Sequence, residues 1–162
     1  MITYQEERPA DARHDIEALA FAQWAEMAQG GYEELVENPN YEFYLALAAK
    51  GMLILLTARD ESRLVGYLAA YVYPSTTSKH ETMVQSGPYY VVREVGGIKR
   101  GLILRRLFAR LVEIARARGT VVTIKTHPWA TAAPLLKHMG FREAETWYTL
   151  RLGPSTEAPT HA

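Results

Sequence analysis

Hydrophobic and polar residues alternate along this chain with two different periods, and together the periods predict a mixed α/β domain. Segments with apolar residues three and four positions apart are expected to be helices, and short apolar or β-branched runs between turn residues are expected to be strands. The predicted helices are Pro9–Gln29, Tyr32–Lys50 with a break near Pro39, Leu102–Arg118 and Trp129–His138, and the predicted strands are Met1–Glu7, Met52–Thr57, Leu64–Tyr73, Glu81–Arg93, Thr120–Thr126 and Phe141–Leu152. This order is typical of a mixed sheet with helices on both faces.

The strand Glu81–Arg93 contains an interruption at Gly87-Pro88. Proline has no N–H group and cannot donate to a strand ladder, and glycine within a strand often marks a bulge. The pair therefore predicts a β-bulge or an edge position at this point of the sheet.

The stretch Tyr89–Gly119 combines a strand, a glycine- and cation-rich loop and the strongest helical pattern of the chain. The first N–H groups of a helix have no intrahelical partner, and the helix dipole adds positive charge, so such a junction suits an anion. Glycines between positions 96 and 101 let the backbone approach a ligand, and Lys99 and Arg100 add fixed charge. A phosphate-binding loop and a plain strand-to-helix turn are both consistent with this pattern.

Composition narrows the class of protein. A chain of 162 residues, 48% hydrophobic and 22% charged, fits one globular domain, expected to span residues 1–152 and to be followed by a disordered tail, 153–162. The absence of cysteine excludes thiolate catalysis and cysteine-ligated metals. The longest apolar run, Met52–Thr57, is too short to cross a membrane, and the polar N-terminus lacks a secretory pattern, so a cytoplasmic location is expected.

Charge is balanced overall but unevenly distributed. The net charge is zero, yet acidic residues concentrate between positions 6 and 42, and basic residues between Arg93 and Lys125. An uneven distribution can steer an anion to one region of the surface. Nucleic-acid binding through the arginine-rich helix is one hypothesis, and a solvated helix face is the alternative.

The order of elements and several motifs resemble the GNAT superfamily of acyl-CoA-dependent N-acyltransferases. The motifs are Gly66-Tyr67-Leu68, the strand Tyr89–Val92, the glycine/basic loop, the helix Leu102–Arg118 and the closing run Leu135–Phe141. The chain is most similar to short GNAT-like proteins of bacteriophages, which share segments such as AAKGMLILLTARDESRLVGYL and PLLKHMGF. The resemblance implies a mixed, mostly antiparallel sheet with helices on both faces and splayed central strands.

The resemblance also implies acetyl-CoA as cofactor. The loop amides would hold its pyrophosphate and the end of the preceding strand would pair with its pantetheine arm, in agreement with the anion-binding character of the loop. The residues implied in cofactor binding are Val91, Val92, Arg93, Gly96, Gly97, Lys99, Arg100, Gly101 and Leu102.

Acyl transfer to a small-molecule or protein amine would proceed by direct attack in a ternary complex, since no cysteine is present for a covalent route. His80 and Glu81, at the entry to the central strand, are the candidate bases, with a solvated loop as the alternative. Tyr148 on the last strand is the candidate acid, with packing as the alternative. The aromatic residues Tyr41, Phe43 and Tyr44 are expected either to line an acceptor pocket or to fill the core. No metal site is expected, because His127 and His138 have no neighbours at ligand spacing.

Two departures from the family pattern support a second hypothesis. Leu102 and Leu104 stand where small residues are usual, and Leu136 stands near the position where many members carry a tyrosine acid. A GNAT-fold protein without acyltransfer activity, serving as a binding or structural module, is consistent with both. The sequence leaves open whether the protein is a monomer or a homodimer.

Overall fold

The computed structural model describes residues 1–29, 40–117, 121–126 and 132–144, with the backbone alone for residues 27–29. The strands are β1 Ile2–Glu6, β2 Leu53–Asp60, β3 Arg63–Pro74, β4 Thr82–Val91 and β5 Val121–Thr123, and the helices are α1 Pro9–Gln29, α2 Tyr41–Ala49, α3 Gly97–Ala117 and α4 Ala132–His138, with a 3-10 turn at Arg93–Val95. None of the helices in these ranges is long and apolar enough to span a bilayer.

The described strands form one mixed sheet in the order β1-β2-β3-β4-β5. The first three pairs are antiparallel and the pair β4–β5 is parallel, which confirms the predicted mostly antiparallel sheet. The first part of the predicted helix Tyr32–Lys50, the predicted last strand beyond residue 144 and the tail 153–162 lie outside the described residues. Residues 141–144, expected to begin that strand, are irregular.

Alternation along β3 directs its residues to two different helical layers. Tyr67 faces α1, where its hydroxyl donates to the Gln23 side chain, and Gly66 faces α3, where an added Cβ would lie 3.5 Å from Ile103. The apolar stripe predicted for α3 is confirmed: Ile103, Leu107, Phe108, Leu111 and Ala115 are buried and Leu104 and Ile114 partly so. Helices therefore cover both faces of the sheet, as predicted.

The predicted irregularity at Gly87-Pro88 is a β-bulge. Leu68 pairs with Tyr89 and Ala70 with Ser86, so Gly87 and Pro88 together face Ala69 alone. Gly87 lies so close to the ring of Tyr71 that an added Cβ would be 2.8 Å from its hydroxyl and 2.9 Å from two ring carbons. Glycine is therefore favoured at this position, because any larger residue would displace the Tyr71 ring.

Beyond the bulge, β4 has no β5 partner within the described ranges. The two strands pair only from Met83 to Gln85, opposite Val121–Thr123. The last connection is a hydrogen bond of 2.9 Å from the Lys125 N–H to the Ser86 hydroxyl. The separation confirms the predicted splayed central strands. Among the described residues, no strand pairs with this edge of β4 beyond Ser86, and we call it the open edge of β4.

The predicted start of the central helix is wrong. The sequence indicated a loop up to Gly101 and a helix from Leu102, but α3 begins at Gly97. Gly96 has a positive φ of 82° and ends the 3-10 turn, and the first helical hydrogen bond runs from the Arg100 N–H to the Gly96 carbonyl. Packing of the buried stripe from Ile103 to Ala115 offsets the low helix propensity of the two glycines in the first turns.

Candidate functional site

The N-terminus of α3 presents free backbone donors at the end of the open β4 edge. The N–H groups of Gly97, Ile98 and Lys99 precede the first helical hydrogen bond, so they have no intrahelical acceptor. An ideal Cβ at Gly96, Gly97 or Gly101 would meet no atom within 4 Å, which means that the space beside them is open. Free donors at a helix N-terminus are suited to binding an anion.

The cations near this helix terminus already have carboxylate partners. Arg93 and Arg100 each lie 3.0 Å from the Glu26 carboxylate of α1, and Lys99 lies 3.5 Å from Asp60. Burial raises the pKa of Glu26, but hydrogen bonds from Tyr90, Arg100 and Arg93 favour the carboxylate, and their combined effect lowers it. Glu26 therefore holds two of the predicted cofactor-binding cations against α1.

The end of β4 offers main-chain groups rather than side chains. Val91 and Val92 are buried, at 1% and 5% exposure, and the Val92 N–H is bound to the Val65 carbonyl at 3.0 Å. Because successive residues of a strand direct their backbone groups to opposite edges, those of Val91 point away from β3 into the open side. Leu102, the last residue of the predicted cofactor set, has an exposed side chain.

A cavity of about 260 Å³ lies on the opposite face of the sheet, between β2–β4 and the two helices α1 and α2. It reaches Pro88 of the bulge. The lining residues are Pro9, Ile16, Ala20, Gln23, Trp24, Tyr41, Tyr44, Leu53, Leu55, Tyr67, Ala69 and Pro88. Tyr41 and Tyr44 thus line a pocket, one of the two roles expected of them, whereas Phe43 is exposed and its ring contacts those of Tyr44 and Tyr71.

The polar groups of the cavity centre on Gln23. Its Oε1 accepts a hydrogen bond of 2.6 Å from the Tyr67 hydroxyl, and its Nε2 donates over 3.4 Å to the Tyr89 carbonyl next to the bulge. Burial raises the pKa of the Tyr67 hydroxyl. Tyr67 is therefore a neutral donor at physiological pH and not a base.

The Tyr41 phenol at the cavity is also protonated at neutral pH. Burial raises the pKa of Tyr41 to about 12, with a further contribution from Glu17, and the Tyr41 hydroxyl is buried without a hydrogen-bond partner among the described residues. Tyr44 stacks on Tyr71 with ring centroids 6.4 Å apart. These phenols form aromatic walls that carry hydroxyl donors.

The predicted bases do not lie at the cavity. His80 and Glu81 are both exposed in the turn before β4, where the Ser75 N–H binds the Glu81 carbonyl at 2.9 Å. Glu81 precedes Pro88 by seven residues, a distance of roughly 23 Å along an extended strand. Tyr148, the predicted acid, and His127 lie outside the described residues, and Leu136 is buried in α4.

Sequence reasoning missed Gln23, Trp24, Glu26 and Tyr67 as site residues. Gln23 and Trp24 are part of the helical pattern of α1, and Tyr67 is part of a strand. No local signal separates them from ordinary helix and strand positions. Their juxtaposition depends on how α1 packs across β3, which a single sequence does not encode locally.

The fold is that of the GNAT acetyltransferases. A predicted acetyltransferase from Clostridium acetobutylicum, solved with acetyl-CoA, superposes with a TM-score of 0.73 at 18% identity, over 97% of this chain and 100% of that one. An aminoglycoside acetyltransferase from an uncultured soil metagenomic sample has a TM-score of 0.69 at 19% identity, over 94% and 99% of the two chains.

A third similar structure is the ribosomal-protein-alanine N-acetyltransferase from Brucella melitensis biovar Abortus 2308. Its TM-score is 0.64 at 19% identity, and the match covers 93% of this chain and 99% of that one. No protein-family model matches the sequence, and no curated protein is significantly similar to it. At these identities the likeness establishes the fold alone. It does not identify the acyl donor or the acceptor of this chain.

Proposed function

We propose that the protein is an acetyl-CoA-dependent N-acyltransferase that acetylates a primary amine by direct attack in a ternary complex. One observation carries the proposal: the edge of β4 that has no strand partner among the described residues begins at the Gly87-Pro88 bulge, and the cavity reaches Pro88 from the side of α1 and α2. An acyl group held along the strand edge and an amine held in the cavity would therefore be neighbours. The acetyltransferase identity of the similar structures supports this interpretation.

The donor side fits acetyl-CoA in two respects. The first-turn N–H groups of Gly97–Lys99, beside open space, suit a diphosphate. The outward backbone groups of Val91 suit strand-like pairing with the amides of a pantetheine arm. Arg93, Lys99 and Arg100 would exchange carboxylate partners for phosphate oxygens, which accept similar charge-assisted hydrogen bonds.

When bound, acetyl-CoA supplies a thioester whose carbonyl carbon the neutral amine attacks: the N–C bond forms, the C–S bond breaks, and the thiolate takes the proton that the nitrogen loses. The cavity contributes desolvation. Its apolar walls disfavour an ammonium ion, so they lower the pKa of a bound amine and increase the share of the neutral nucleophile.

His80 and Glu81 remain the proposed bases, and Tyr148 remains the proposed acid for the thiolate. Because Glu81 lies roughly 23 Å along the strand from Pro88, and a base acts within hydrogen-bond reach of its proton or through one water molecule, either residue could act only if it approached the acceptor amine. The single domain 1–152, a cytoplasmic location, a monomeric or homodimeric state and the similarity to bacteriophage proteins remain predictions.

Calorimetric titration with acetyl-CoA tests the donor side. We expect the Arg100→Ala variant to bind about tenfold more weakly than the wild type, which corresponds to about 1.4 kcal/mol for one charge-assisted contact. Arg110→Ala is the matched control, because Arg110 lies on the same helix and also pairs with a carboxylate, that of Glu113 at 2.9 Å. Absence of binding by the wild type at millimolar acetyl-CoA would contradict the proposal.

The same titration separates the second candidate function, a GNAT-fold binding or structural module. One observation favours that alternative: the three cations near the α3 terminus are already paired with carboxylates, Arg93 and Arg100 with Glu26 and Lys99 with Asp60. A module of this kind would leave Arg100→Ala and Arg110→Ala with the same negligible affinity for acetyl-CoA. A selective loss in Arg100→Ala would favour the enzyme.

A further inference from the structure

The cavity beside the bulge defines the class of acceptor. We propose that the acceptor is a monoamine that carries one aromatic ring or an apolar group of similar size, with its amine bound at Gln23. This inference rests on the proposed acyltransfer function and specifies the substrate of the same site. Its grounds are the volume of the cavity, the chemistry of its walls and the position of its polar groups.

The volume fits one ring and a short chain. An apolar cavity of roughly 150 Å³ is large enough to bind benzene, and the space here is about 260 Å³. Sites for drug-sized ligands occupy roughly 300–1,000 Å³. A molecule with several sugar rings, or a folded protein terminus with its neighbouring side chains, would extend well beyond these walls.

The walls suit an apolar group. Ile16, Leu53 and Leu55 present aliphatic side chains, and Trp24 and Tyr44 present aromatic rings. Aromatic faces pack well against an aromatic ring of a ligand, so they favour arylalkylamines over aliphatic alcohols or acids of the same size. An acceptor with an aromatic body would bury most of its surface here.

The polar groups orient such a molecule. Gln23 Oε1 has two lone pairs, of which the Tyr67 hydroxyl uses one at 2.6 Å. The second can accept an N–H from the acceptor amine. Since Gln23 Nε2 is directed to the Tyr89 carbonyl, this polar group lies on the bulge side of the cavity, where the proposed acyl group would be.

Charge disfavours a polycation. Of the residues that the structure describes, none that lines the cavity is acidic or basic, and burial keeps the phenols of Tyr41 and Tyr67 protonated. Two carboxylates of α1 that are near lining residues in the sequence are already paired, Glu17 with Arg13 at 3.0 Å and Glu26 with Arg93 and Arg100. Additional ammonium groups would be buried without partners, at a high free-energy cost.

Calorimetry of the acceptor alone, without acetyl-CoA, tests the inference on the full chain. We expect 2-phenylethylamine to bind and spermidine not to bind at the same concentration. Gln23→Leu should weaken 2-phenylethylamine binding at least tenfold. Gln85→Leu is its matched control, because Gln85 accepts a hydrogen bond from Tyr73 at the same 2.6 Å but does not line the cavity.

A second pair of variants tests the inference independently, in case the Gln23→Leu variant does not fold. Ala20→Leu fills the cavity and should abolish binding, whereas Ala18→Leu, on the exposed side of the same helix, should leave it unchanged. Far-UV circular dichroism verifies the fold of each variant. Tighter binding of spermidine than of 2-phenylethylamine, or equal binding by the wild type and Ala20→Leu, would overturn the inference.

These outcomes are independent of the donor side. If acetyl-CoA binds and 2-phenylethylamine does not, the acceptor class is wrong and the proposed function stands. If 2-phenylethylamine binds at Gln23 and acetyl-CoA does not bind, the cavity has the stated ligand class but the protein is not the proposed enzyme.

Discussion

At the scale of single residues, one ion-pair cluster links β1, β2 and α1. The Arg59 side chain, 14% exposed, binds Glu7 and Asp15, each at 2.7 Å, and the Thr57 hydroxyl also donates to Glu7. Hydrogen bonds from Arg59 favour the carboxylate and, together with those from Thr57 and Gln5, outweigh its burial, so the pKa of Glu7 falls from 4.5 to about 2. A carboxyl pKa that is lower in the folded than in the unfolded state stabilises the folded state at neutral pH.

This contribution predicts a specific pH dependence. It is complete above pH 4.5, the ordinary value, and is lost as the pH falls towards 2. Glu7→Gln should therefore lower the free energy of unfolding at pH 7 by about 2–3 kcal/mol and flatten its decline in acid. Urea unfolding between pH 7 and pH 2 measures this, with the exposed neighbour Glu6→Gln as control. Wild-type and Glu7→Gln curves that run parallel would refute the assignment.

Glu26 illustrates a limit of sequence reasoning at the same scale. Its partners Tyr90 and Arg100 lie 64 and 74 residues away in the chain. The sequence identified Arg93 and Arg100 as cations near a helix terminus, which depends on local pattern alone. The carboxylate that holds them is identifiable only once α1 is packed across the sheet.

At the scale of elements, the sequence predicted those features that depend on local patterns. The apolar stripe of α3 follows from helical spacing, and the bulge follows from Gly87-Pro88, where proline withdraws a donor. The start of α3 was missed because Gly97 and Gly101 indicated a loop, whereas packing against the sheet overrides their weak propensity. The cavity was not predicted, since it forms between elements distant in sequence.

The bulge also couples strand geometry to the cavity. In Gly87→Ala, the new Cβ would lie within 2.9 Å of the Tyr71 ring, so Tyr71 must move from its stack on Tyr44, a cavity residue. We expect a loss of about 1–3 kcal/mol of stability in thermal unfolding, as for other overpacked sites. Gly101→Ala, whose Cβ meets no atom within 4 Å, is the control and should not destabilise. Equal stability of Gly87→Ala and the wild type would contradict the observed close approach.

At the scale of the whole molecule, the proposed function assigns ligands to two regions of the sheet that meet at one point. The open edge of β4 and the α3 terminus would form the donor region, and the α1–α2 face with its cavity would form the acceptor region. The bulge lies between them. Resemblance in the sequence indicated the fold and the donor region, and the acceptor region required the three-dimensional packing.

Release of coenzyme A thiol measures directly whether this junction transfers an acyl group to an amine. The chain has no cysteine, so a thiol-specific reagent reports the released thiol without background from the protein. We predict saturable thiol release that depends on 2-phenylethylamine, with a product heavier by one acetyl group in mass spectrometry. Release at the same rate without amine would contradict the proposed acyl transfer. So would the absence of release with any primary amine although acetyl-CoA binds.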